Sequence, residues 1–110
     1  MAETFKNALI SNVDNASDAT LYTAPASTTS IILGVAIANK TATDSTALVK
    51  LTDTSTSVTT ELIPTVTIPS NTTLEVLAGQ KYIMETGDIL KIKAGHASTI
   101  DVTIGVLEIS

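Results

Sequence analysis

From residue 19 onward, clusters of turn-forming residues cut the chain about every ten positions, leaving short runs rich in Val, Ile, Leu and Thr. Segments of that length and spacing suit a sandwich or jelly roll, where each strand crosses the domain once and turns back. Thirty of the 110 residues are Thr or Ser, and 44% are hydrophobic. β-Branched side chains pack well on a pleated surface, so composition and punctuation agree. The chain is expected to be all-β: an antiparallel β-sandwich or jelly roll of about eight short strands.

The individual runs sharpen this. ATLYTA at 19–24 is a short strand ended by Pro25, which belongs at a sheet edge or a strand end. Residues 31–38, IILGVAIA, are apolar without alternation, which predicts a central strand with both faces covered, by a second sheet or by another subunit. ALVKLTD (47–53) and VTTELIPTVTIP (58–69, interrupted at Pro64) follow, then TLEVL, KYIME and DILKIKA. In DILKIKA, Leu90, Ile92 and Ala94 are expected to face inward and Lys91 and Lys93 outward, with ETGD closing a hairpin back to KYIM. The last run places Ile100, Val102, Ile104 and Val106 on one face. Leu107 and Ile109 then flank Glu108, which predicts a register flip or bulge beside Gly105. APASTTSIIL (24–33) also echoes IPSNTTLEVL (68–77), as two Greek-key halves can.

The N-terminal AETFKNALISNV has Phe5, Ala8 and Leu9 at helical spacing but is too short to hold a helix alone. It reads as an arm over 1–15, with at most one helical turn, ahead of a single domain over 16–110. Phe5, Leu9 and Ile10 are its candidate interface residues.

Several function classes are disfavoured. Without cysteine there are no disulfides, thiolate metal sites or thiol nucleophiles. The net charge is −5, and all six basic residues are Lys. An acidic chain without Arg is poorly equipped to neutralise phosphates, so neither nucleic acid nor an anionic membrane is expected as a partner. No run approaches the ~20 apolar residues of a membrane span, and the N-terminus lacks the pattern of a signal peptide.

Candidate chemistry is sparse. Gly79, Gly87 and Gly95 are widely separated and precede strands, so they read as turns rather than as a phosphate cradle. His96, the one histidine, lies in a turn-like AGHAST without a triad motif. Asp14, Asn15 and Asp18 could offer oxygens to calcium, but their spacing matches no EF-hand loop and suits an Asx turn. With three aromatic residues in all, a carbohydrate platform between paired carboxylates is not expected. Lys50, Lys91 and Lys93 read as solvent-facing charges that discourage edge pairing. No catalytic residue, metal or cofactor is expected, so a small jelly-roll enzyme is the weakest reading. A mean hydropathy of +0.35 with few large side chains points to burial beyond one small sandwich, hence to a homo-oligomer, with a trimer favoured.

Three stretches carry a resemblance: LYTAPASTTSIIL, IPSNTTLEVLAGQKYIMETGDILKIKA and the terminal VTIGVLEIS. Over residues 20–110 the chain resembles small β-rich proteins encoded by tailed phages of marine bacteria and cyanobacteria. Their Tyr-Thr-x-Pro-Ala segment precedes a long apolar strand. A Pro-x-x-x-x-Leu-x-Val-Leu-x-Gly segment leads to a Gly-Asp turn, and the chain ends in Leu-Glu-Ile. The resemblance implies a virion structural component made in the host bacterial cytoplasm. The first expectation is a capsid decoration (cement) protein that binds the major capsid protein on the outer head surface. The alternative is a tail, baseplate or fibre module, with a possible host-binding role. The matching residues are turn and core residues and imply no active site.

Overall fold

The computed structural model describes residues 2–110; the first position of the expected arm lies outside the described residues. Nine strands make up the fold: β1 (Glu3–Ile10), β2 (Ala19–Thr23), β3 (Thr29–Asn39), β4 (Ser45–Asp53), β5 (Val58–Ile68), β6 (Thr72–Glu75), β7 (Tyr82–Met84), β8 (Ile89–Ala94) and β9 (Ile100–Ile109). They form two sheets. Sheet A runs β1-β9-β3-β6, with β7 also pairing β3; sheet B runs β2-β8-β4-β5. All pairings are antiparallel. With β6 and β7 sharing one place beside β3, this is a jelly-roll order, as the spacing of runs predicts.

The core between the sheets is aliphatic. Ile32, Val35 and Ile37 of β3, Val49 of β4, Leu90 and Ile92 of β8 and Ile100 to Val106 of β9 are buried in alternation. Leu90, Ile92 and Ala94 face inward as expected, and Lys91 and Lys93 face out, half-buried. Among the described residues, no buried side-chain polar atom lacks a partner. Asn39, at the end of β3, is the clearest case. Its amide donates to the carbonyls of Thr43 (2.8 Å) and Ile68 (2.9 Å), while its oxygen accepts from the Thr41 N–H and hydroxyl.

Three expectations are corrected. The arm with a helical turn is strand β1, in register with β9 from Glu3↔Ile109 to Ile10↔Val102. β9 presents a full-length ladder, so its main-chain bonds outweigh a helical turn too short to persist. Val13, just beyond β1, is fully buried in the core. The ETGD turn does not close a hairpin: β7 pairs β3 in sheet A and β8 lies in sheet B, so the turn crosses between sheets. There Gly87 (φ +88°) donates to the Ala24 carbonyl.

The flip beside Gly105 is also absent. β1 pairs straight across it (Asn7↔Gly105), and the irregularity sits opposite, in β3 between Ile32 and Gly34. Alternation therefore continues, so Glu108 points inward while Leu107 and Ile109 face out. Within one chain the second sheet covers only one face of β3, which leaves the other face to the second expected cover, another subunit. The inner face of β3 is buried, but Ile31, Leu33, Ala36 and Ala38 are only half-buried.

The internal echo has a local cause. Ser27 (φ 56°) and Asn71 (φ 51°) follow Pro25 and Pro69 by two positions, and both take the left-handed conformation. Each belongs to a crossover from sheet B to sheet A, β2 to β3 and β5 to β6. The shared Pro-x-αL-Thr pattern makes the same turn twice.

Candidate functional site: an apolar sheet face and an open strand edge

The outer faces of the two sheets differ in character. On sheet A, Phe5 lies opposite Leu107, Leu107 opposite Ile31, and Ile31 opposite Ile83, an unbroken apolar row across β1, β9, β3 and β7. Phe5 is 74% and Ile83 65% exposed. Leu33 adjoins the row, since a Cβ built at Gly105 would lie 3.9 Å from its Cβ. On sheet B the corresponding row is Thr20, Lys91, Lys50 and Glu61. Lys50 there binds Asp18 at 3.2 Å. A contiguous exposed apolar patch rimmed by polar residues is the usual mark of an interaction surface.

The three candidate interface residues are divided by this geometry. Phe5 and Leu9 (63% exposed) point outward from β1. Ile10 falls on the other face, half-buried against the core. Helical spacing had grouped them; a strand's period of two separates them.

β1 also bears free main-chain groups. Ala2 and Ser110 exchange both bonds at 2.9 Å. Bonded and non-bonded pairs alternate in an antiparallel ladder, so Thr4, Lys6, Ala8 and Ile10 bond to β9. The N–H and C=O groups of Glu3, Phe5, Asn7 and Leu9 point away from β9 along the sheet edge.

The sequence-predicted polar candidates lie apart from this face. His96 is exposed in the β8–β9 turn, where its carbonyl accepts the Thr99 hydroxyl at 2.8 Å. Asp14 accepts from the Ala16 N–H (2.9 Å) and the Ser17 hydroxyl (3.3 Å), and the Ala16 bond is the main cause holding its carboxyl below the ordinary range. With Asp18 bound to Lys50, the suggested calcium loop is an Asx turn beside an ion pair.

A second acidic group was not foreseen. Asp53, Glu85 and Asp88 bring carboxylate oxygens within 4.8 Å of one another. Asp53 is already bonded to the Ser55 N–H and hydroxyl, and Asp88 accepts the Glu85 N–H at 2.9 Å. The end of β4 meets the β7–β8 turn here only because that turn crosses between sheets, which no local sequence signal announces.

An inter-sheet polar cluster around Glu108 was missed as well. The Tyr22 hydroxyl donates to Glu108 and shares a 2.8 Å bond with Ser30, while Lys6 approaches the other Glu108 oxygen at 3.2 Å. Burial, reinforced by the bond to Glu108, pushes the Tyr22 phenol up to about 12. The Tyr22 bond in turn holds the Glu108 carboxyl below its ordinary value, helped by Lys6. A phenol kept neutral and already donating is a fixed clasp rather than a nucleophile or base at neutral pH.

No protein-family model matches the sequence, and no curated protein is similar enough to match it. A solved chain from Bacillus endospore appendages, a family of disulfide-linked pili, is similar in structure, with a TM-score of 0.56 over 98% of this chain and 88% of that chain. At 13% sequence identity the similarity speaks for the fold alone. It extends over the whole sandwich, β1 included.

Proposed function

We propose that this protein is a non-enzymatic structural subunit that works by being built into a larger surface, and that the surface is the outside of a phage head, where it acts as a decoration (cement) protein. The observation that carries the structural reading is the apolar row Phe5–Leu107–Ile31–Ile83 on the outer face of sheet A, backed by a sheet whose outer face carries Lys and Thr. Such a sandwich has one face suited to lie on a protein lattice and one suited to water. The sequence resemblance supplies the virion. The major capsid protein would be the partner under the apolar face, and modest contacts repeated over a lattice add through multivalency.

The second reading is a fibre or appendage subunit, in a phage tail or another filament. The structural similarity to a pilus chain favours it. This chain has no cysteine, so its subunits would be joined without the disulfides of those pili.

Antibody labelling of intact purified virions, imaged by electron microscopy, tests both. Label spread over the head supports the decoration protein, and label confined to the tail or to separate filaments supports the fibre subunit. Unlabelled particles and filaments would overturn both.

A further inference from the structure

Among the described residues the sandwich has four strand edges, and three carry devices that discourage pairing. β5 contains Pro64 where its register against β4 shifts. The β6/β7 edge is split, with residues 76–81 leaving the ladder between two short strands. β2 is five residues long, has a register shift between Thr20 and Tyr22, and is followed by Pro25. β1 has none of these. It is eight residues long, holds one register throughout and contains no proline. Its one lysine, Lys6, is turned inward to Glu108 rather than guarding the edge. Natural sheets rarely leave such a strand open, because its free N–H and C=O groups are a template for another chain.

We propose that β1 is a self-pairing edge: two copies of this chain join β1 to β1 antiparallel about a two-fold axis at Asn7, fusing their A sheets into one. The occupant is a second copy because β1 is self-complementary in one register. The free groups lie on Glu3, Phe5, Asn7 and Leu9, so odd-numbered residues must meet odd-numbered ones. With the axis at Asn7, Phe5 lies opposite the partner's Leu9, Leu9 opposite the partner's Phe5, and Asn7 opposite its own copy. Each pair exchanges both main-chain bonds. On the outer face this sets the two exposed large apolar side chains of β1 against each other as aromatic–aliphatic pairs. On the inner face Lys6 meets the partner's Ala8.

Neighbouring registers are worse. An axis at Lys6 places two lysines directly opposite and sets Phe5 against an amide. An axis at Ala8 carries Phe5 beyond the end of the partner strand. A two-fold contact is isologous and closed, so it yields a dimer rather than the trimer expected from sequence. It applies wherever the protein resides.

The absence of cysteine makes a clean test. Single variants Phe5→Cys, Lys6→Cys, Asn7→Cys, Ala8→Cys and Leu9→Cys of the full chain are oxidised and run on non-reducing gels. Bonded antiparallel pairs place their Cα atoms about 5.5 Å apart, within disulfide range. The covalent dimer is expected to peak at Asn7→Cys, and mixing Phe5→Cys with Leu9→Cys should give a heterodimer. Light scattering of the unmodified chain is expected to give twice the monomer mass, and Asn7→Pro to halve it while the β-sheet circular dichroism is unchanged. The Asn7 N–H takes no part in the β9 ladder, so that proline costs no internal bond. A monomer or trimer mass, or a cross-linking maximum at Lys6 or Ala8, would overturn the proposal.

Discussion

The Tyr22 hydroxyl on β2 donates to the Glu108 carboxylate on β9, joining sheet B to sheet A through a group that is 8% exposed. Removing that donor leaves a buried carboxylate with Lys6 alone to compensate. Tyr22→Phe is therefore expected to destabilise the fold by about 1–3 kcal/mol, the range for leaving a buried polar group without its partner. Glu108→Gln keeps an acceptor for Tyr22 and loses only the contact with Lys6, whose side chain is half exposed, so it should cost less. Urea unfolding of both variants checks the order, and equal losses would mean the ion pair matters as much as the phenol bond.

The same pair predicts losses of stability at both ends of the pH scale. Glu108 lies below its ordinary value of 4.5, chiefly through the Tyr22 bond. Asp101 lies below 3.8, chiefly through the Asn12 N–H and then Lys40. Depressed carboxyls stabilise the fold above their unfolded values, and that contribution is lost as pH falls through the lower folded ones. Tyr22 is shifted the other way, from 10 to about 12. Its contribution is complete below pH 10 and is lost between 10 and about 12. Urea midpoints measured across pH should fall on acidification below about 4.5 and again above 10. Tyr22→Phe should flatten the alkaline decline.

Where inward and outward residues alternate within one strand, the sequence was legible: Leu90, Ile92 and Ala94 against Lys91 and Lys93, and Ile100 through Val106. It misled where polarity and position disagree. Glu108 reads as outward because it is charged, yet it is buried because Tyr22, Ser30 and Lys6 converge on it from three other strands. Those partners are distant in sequence and leave no local trace. β1 misled for the opposite reason. Phe5, Ala8 and Leu9 fit helical spacing, and only the β9 ladder makes the segment a strand. The open face followed from neither signal, because the apolar run 31–38 reads the same whether a partner covers it or not.

The β3 bulge is held by one side chain. Glu75 accepts from the Val35 N–H through one oxygen and from the Leu77 (2.6 Å) and Ala78 (3.2 Å) N–H groups through the other. A Cβ at Gly34 would lie 2.5 Å from that first oxygen. Gly34→Ala should push the carboxylate off Val35, so it and Glu75→Ala remove one arrangement. Each is expected to cost about 1–2 kcal/mol. The double variant should cost clearly less than their sum, because the two residues share a partner. Additive losses in urea unfolding would show that Glu75 accommodates the methyl group without releasing the bulge.

Ile83 separates the apolar face from the β1 edge. It sits on β7, at the far end of the row from Phe5, and is 65% exposed. A substitution there touches little of the core, so Ile83→Lys should change stability by no more than about 0.5 kcal/mol. It should also leave β1 free to pair, because β9 and β3 lie between. What it should remove is apolar docking. If the proposed virion role holds, incorporation of Ile83→Lys into particles falls well below that of the unmodified chain, while its mass in solution stays the same. Asn7→Pro should do the reverse to the mass. Normal incorporation of Ile83→Lys would show that the apolar face is not the docking surface of the proposed assembly.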